Sequence, residues 1–145
     1  MITMHADAAG HQASAAKPGR RQKGNAMVEF SLILPLFVLL LFGVIYFSVA
    51  LYNKTVLAIA TREGARAGAV YIAGTDTDAV RTASATTAAT LVCQNRLVSF
   101  GDAMTASITS TISGDILTVT ASGNYDEFFI FPGIPISAQT RMRLE

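Results

Sequence analysis

From Phe30 to Asn53 the chain carries no charged side chain, and the interior of that run reads SLILPLFVLLLFGVIYFSVALY. As an α-helix its 24 residues span roughly 36 Å at about 1.5 Å per residue. A bilayer core is about 30 Å thick and takes about 20 apolar residues, so the run predicts a membrane helix with room to tilt. A buried helix of a water-soluble core needs a partner on every face, and such runs seldom pass about 14 residues. Pro35 near the start removes one helical hydrogen bond, which membrane helices tolerate. Gly43 and Ser48 are small enough to admit a neighbouring helix.

Past Asn53 the pattern stays helical through TVLAIATREGARAGAVYIAG. Ala60, Gly64 and Gly68 recur every fourth residue and predict a flat stripe where another helix backbone comes close. Glu63 and Arg66 stand three apart and are placed to pair, for a few tenths of a kcal/mol. Gly74-Thr75-Asp76 reads as a stop and turn. A second helix is expected from a Thr77 or Asp76 cap, with Asp78 in its first turn, to about Ser99. Val80, Ala83, Thr87, Leu91 and Val98 are its expected packing stripe, with Phe100-Gly101-Asp102 closing it.

From Met104 the period changes to two. Ala106, Ile108, Ser110 and Ile112 alternate with Ser and Thr, Ser113-Gly114-Asp115 turns the chain, and Ile116–Ala121 returns in β-rich residues. That is a hairpin pattern, with Gly supplying the turn's positive φ. Residues 136–144 give a third alternating strand. Between strands two and three, Phe128, Phe129 and Phe131 are read as closing one end of a small core, with a partner-facing or membrane-resting patch as the alternative. The fold class is therefore α+β: a transmembrane helix extending into a helical stalk, then a second helix on a three-stranded antiparallel sheet. The segments are 1–24, a basic leader; 25–53, the membrane helix; 54–102, stalk and second helix; and 103–145, the β region.

Charge gives this layout a direction. The net charge is only +1, but Lys17, Arg20, Arg21 and Lys23 cluster just before the span. Positive charge within about 15–20 residues of a span stays cytoplasmic, so the N-terminus is expected inside and the bulk of the chain outside. The Ala/Gly-rich residues 1–23 carry no apolar period and read as disordered. The basic cluster is short and has no interleaved aromatics, so it does not point to nucleic acid.

Candidate chemistry is sparse. Cys93 is the only cysteine, which excludes an internal disulfide or a CxxC site, and its apolar neighbours Leu91 and Val92 favour burial over an intermolecular bridge. His5 and His11 both lie in the tail without a metal framework. Asp102, Asp115, Asp126 and Glu127 fit no cation loop, and no nucleophile motif or phosphate-binding loop is present. Nothing in the pattern calls for a catalytic residue, a metal, a cofactor or a small-molecule substrate.

The sharpest signal is Gly24-Asn25-Ala26-Met27-Val28-Glu29-Phe30. A basic leader ends in Gly24, and Glu29 and Phe30 stand fifth and sixth after it, at the mouth of the apolar run. A carboxylate at bilayer depth is costly and marks a functional position by default. The arrangement resembles a type IV prepilin processing site, which implies cleavage after Gly24 by a membrane prepilin peptidase and a mature chain beginning at Asn25. The new α-amino group, with a reference pKa of about 7.7–8, would lie about one helical turn from Glu29 and offset its charge. Two other fates compete. A secretory signal peptide would be cut after Ala50 to release a soluble binding domain, although an h-region usually runs about 7–15 residues. A twin-arginine signal is disfavoured because Gln22-Lys23-Gly24 follows the arginine pair.

Taken whole, residues 24–145 resemble the TadE-like family of tight-adherence (Flp) pilus systems. The likeness rests on G-NAMVEF, the proline within SLILPLFVLLLFG, the A-x-x-x-REGARAG segment from Ala58 to Gly68, and the closing AQTRMRLE strand. It implies a minor pilin or pseudopilin of the inner membrane, with its C-terminal domain periplasmic. The implied partners are a prepilin peptidase, other pilins, the assembly platform and membrane lipid, with Glu29 and Phe30 serving subunit recognition. Major Flp pilins often have tyrosine at the Phe30 position and a much smaller C-terminal region, which favours an accessory role. A single-span anchored protein that joins no filament is the further alternative.

Overall fold

The computed structural model describes residues 22–70, 77–100, 104–125 and 130–145. Leader residues 1–21, the 74–76 turn, Gly101, Asp102, Asp126, Glu127, Phe128 and Phe129 lie outside the described residues. Two helices and three strands follow in order: α1 (Gln22–Ala69), α2 (Asp78–Arg96), β1 (Ala106–Ser113), β2 (Ile116–Tyr125) and β3 (Ile134–Arg143). This is the expected α+β layout. The chain divides between Val38 and Leu39 into two units. In the first, every described side chain from Asn25 onward is exposed. Met27 is 77% and Leu36 68% exposed, so among the described residues this apolar surface has no protein partner. α1 continues through Pro35 without interruption.

The second unit holds the remainder of α1, both edges of the sheet and α2. Its sheet has the order β1-β2-β3, antiparallel throughout. Gly114, at φ 59°, makes the tight β1–β2 turn, and nothing lies within 4 Å of where its Cβ would be. Register brings Ile112, Leu117 and Met142 side by side on one face, and Thr111, Thr118 and Arg141 on the other. The first face is the core: Leu117, Val119 and Ala121 are fully buried and Tyr125 nearly so. Burying a Leu or Val side chain contributes about 1.5–3 kcal/mol, so this strand supplies much of the core's stability. The second face presents Ser, Thr, Gln and Arg to solvent. β2 runs on to Tyr125, beyond the expected end at Ala121, because Gly123 and Asn124 still pair with Ile136 and Pro135.

α2 covers the core face with a different side from the one expected. Val80 is only half-buried, and Ala83, Thr87, Leu91 and Val98 are exposed. The buried line is Arg81, Ala85, Ala89 and Cys93. Small residues win here because the helix lies so close to α1 that larger side chains do not fit between them. Thr77 caps its start, the hydroxyl accepting from the Val80 amide at 3.4 Å. Thr86 Oγ1 meets Ser110 Oγ at 2.8 Å and ties the helix to β1. α2 ends at Arg96 rather than near Ser99, with Leu97 already extended.

The reason for that early end lies on α1. Asn53 is fully buried, and its amide donates to the Val98 carbonyl at 2.6 Å while its carbonyl accepts from the Val98 amide at 3.0 Å. One side chain thus takes both main-chain groups of Val98, which can no longer continue the helix. Replacing Asn53 by Leu leaves both groups without these partners and is expected to lower unfolding stability by about 1–3 kcal/mol. Chemical denaturation of the detergent-solubilised chain, followed by circular dichroism, measures it, and an unchanged midpoint would show that the pair contributes nothing.

Candidate functional site

Helix α1 carries the residues that the sequence singles out, arranged along its length in three groups. The first is Gly24 to Phe30. Gly24 and Asn25 both lie within α1 as described, Gln22–Ala69. Asn25, Met27, Val28, Glu29 and Phe30 are all exposed. Among the described residues nothing pairs with the Glu29 carboxylate. Ser31 Oγ donates instead to the Val28 carbonyl at 2.9 Å.

The second group begins where α1 first gives one face to the protein core. Tyr46 is 3% exposed, Ala50 is also buried, and Asn53 follows one turn later. The Tyr46 ring stacks on Phe131 at a centroid distance of 5.3 Å and lies 4.9 Å from that of Tyr125. Its hydroxyl donates to the Pro132 carbonyl at 2.9 Å. The Tyr125 hydroxyl is buried and has no hydrogen-bond partner among the described residues. Gly43 also meets Phe131: a Cβ there would lie 3.4 Å from the ring. Phe131 is therefore half-buried against α1, in agreement with a role in closing the core. Phe47, Leu51 and Tyr52 beside them are exposed.

The third group is the small-residue stripe. Ala60, Gly64 and Gly68 are buried. A Cβ on Gly64 would lie 2.7 Å from the Ala85 carbonyl oxygen, and one on Gly68 2.7 Å from that of Arg81. The backbone running past these glycines is that of α2 in the same chain. Thr61, on the same stretch, bonds Thr140 Oγ1 at 2.9 Å, so α1 also grips β3. Glu63 and Arg66 both face solvent and form no ion pair with each other.

Two buried polar groups were not legible as such. Arg81 is 5% exposed, and its guanidinium donates to the Ala69 carbonyl at 3.2 Å and to the Glu145 main-chain oxygen at 3.1 Å. It caps the C-terminal end of α1, where orphan carbonyls and the helix dipole both favour a cation. Asn53 is the other; its partner stands 45 residues away, beyond any local motif. Cys93 is buried at the foot of α2, and burial pushes its thiol up from the ordinary value. Among the described residues no three His, Cys, Asp or Glu side chains converge to hold a metal.

An exposed apolar helix of membrane-spanning length, continuous with the spine of a small α+β domain, defines a membrane-anchored protein. Residues 24–66 match the family model described as TadE-like protein, from the glycine before the span through REGAR. No curated protein and no solved structure matches the chain.

Overpacking the close crossing is expected to cost about 1–3 kcal/mol, so Gly68→Ala and Gly64→Ala should each lower the denaturation midpoint. Gly43→Ala, which meets only an ordinary van der Waals distance, should not. Equal midpoints for all three would refute the tight crossing. Burial also sets the behaviour of Cys93. A raised thiol pKa leaves the folded chain protonated where the unfolded chain has lost its proton, so stability is full below about pH 8.5 and falls as pH rises further. At about pH 8.5 a thiol reagent should modify Cys93 slowly in the folded chain and rapidly in denaturant.

Proposed function

We propose that this protein is a TadE-like minor pilin or pseudopilin, anchored in the inner membrane by α1 and acting in assembly of a tight-adherence (Flp) pilus. The observation that carries the reading is the double use of α1. Its apolar front is exposed, and its back half, from Tyr46 to Gly68, is built into the domain core. A segment that is to be discarded has no reason to supply core residues. Cleavage after Ala50 would cut inside that core and strip away Tyr46, which stacks on Phe131 and holds Pro132. This argues against the secreted, released domain.

In this reading a prepilin peptidase cuts between Gly24 and Asn25 on the cytoplasmic side, and the helix stays as anchor and assembly element. The Glu29 carboxylate then meets an α-amino group, its own or that of a neighbouring pilin. Phe30 adds an aromatic contact beside it. The domain beyond Asn53 lies in the periplasm, and the partners are other pilins and the inner-membrane assembly platform. The match over residues 24–66 and the exposed anchor support this placement, and the size of the domain favours an accessory subunit over the shaft.

N-terminal sequencing of the chain recovered from membranes tests the proposal. Asn25 as first residue supports it, Leu51 supports release, and an intact leader supports a permanent single-span anchor. Gly24→Ala should leave a longer, uncut precursor, and a mature product of unchanged size would sink the processing step.

A further inference from the structure

We propose that the Ile130–Phe131–Pro132 stretch is a second membrane contact, seated in the outer boundary of the bilayer beside α1. The inference rests on membrane anchoring by α1 and on nothing about the pilus. A bilayer core takes about 20 apolar residues. Counted from Phe30, the start of the charge-free run, 20 residues reach Val49. Gly43 and Tyr46 lie inside that count, and Phe131 packs on both: a Gly43 Cβ would be 3.4 Å from its ring, and the Tyr46 ring stacks on it at 5.3 Å. Six residues separate Gly43 from Val49, or about 9 Å of helix. Segments that rest in a membrane interface bury about 5–10 Å into it, so the domain reaches down α1 to that depth.

The chemistry of the stretch suits it. Residues 130–135, Ile-Phe-Pro-Gly-Ile-Pro, carry no charge, and Ile130 is 57% exposed. Non-helical backbone at this depth needs its polar groups satisfied within the protein. Pro132 and Pro135 have no amide hydrogen to satisfy, and the Pro132 carbonyl receives the Tyr46 hydroxyl at 2.9 Å. The exposed α1 residue Phe47 lines one cavity with Ile134 and Pro135, so lipid that meets the helix there also meets the end of this stretch. Two contacts instead of one fix the domain's tilt against the membrane, where a lone helix leaves it free to rotate.

The chain has no tryptophan, so single substitutions report cleanly. The full chain is reconstituted in phosphatidylcholine–phosphatidylglycerol vesicles whose acyl chains are brominated near the headgroup. Ile130→Trp should lose most of its emission relative to unbrominated vesicles. Ser113→Trp, at the exposed β1–β2 turn, should lose none and should instead be quenched by aqueous iodide. Leu40→Trp, near the middle of the span, reports insertion in matching vesicles brominated near the acyl-chain ends. Quenching of Leu40→Trp without Ile130→Trp overturns the loop contact and leaves anchoring intact, whereas no quenching of either overturns both. Slow reaction of Cys93 with a thiol reagent verifies that each variant is folded. A second measurement uses the unaltered chain. A phospholipid with a photoactivated carbene precursor in its acyl chain should tag Ile130–Pro132 as well as α1, and tags on α1 alone would overturn the inference.

Discussion

From Phe30 to Ile45 α1 is exposed at every residue but the half-buried Gly43, and from Tyr46 it surrenders one face to a protein core while the open side turns polar, with Lys54, Arg62, Glu63 and Arg66 exposed. That change of surroundings within one unbroken helix is the constraint to which the rest of the domain answers. Lipid and protein core both accept Leu, Val and Phe, so hydrophobicity alone cannot say where one ends. Shape and hydrogen bonding say it instead. Tyr46 and Asn53 are the first side chains on α1 whose polar atoms reach across to another segment, at Pro132 and Val98 respectively. Each takes up main-chain groups of a segment without regular structure, and so fixes non-local backbone to the helix at two successive levels.

Further along, the same helix changes its means of attachment again. At Gly64 and Gly68 the contact is backbone to backbone, with α2 carbonyl oxygens where any side chain would have to go. Such proximity gains dispersion over a broad surface but leaves no room for a bulky side chain on α2, which is why Ala85 and Ala89 face the crossing. Arg81 closes the end of the crossing by donating to Ala69, and it holds the main chain of Glu145 there as well. The helix is thus held by an aromatic stack, a buried amide, a close glycine crossing and a capping guanidinium, in that order from Tyr46 to Ala69.

How much of this the sequence disclosed depends on whether the signal was local. The anchor was legible because an uncharged run needs no context to interpret. The hairpin was legible because Gly114 sits between alternating strands whose own residues set the register. The face of α2 was misread for a physical reason: Ala, Thr and Cys differ little in hydropathy, so Val80 and Leu91 outweighed Ala85 and Ala89 in the pattern. Nothing local marked Arg81 as buried, since a charge is buried only when distant carbonyls happen to meet it. Asn53 closed an apolar run and looked like its boundary, whereas it is one of the most buried positions in the domain.

The same contrast bears on Glu29. The buried polar side chains Asn53, Thr61 and Arg81 each find a partner within this chain, Thr61 on Thr140. Glu29, standing at the head of an apolar surface with nothing paired to it among the described residues, follows the opposite rule. A charge kept at the edge of a bilayer without an internal partner is costly for an isolated anchor and sensible for one that meets another polar group on assembly. In the proposed reading the exposed front of α1 and its unpaired acid belong together: the helix that serves the domain as a spine presents its remaining apolar surface for assembly.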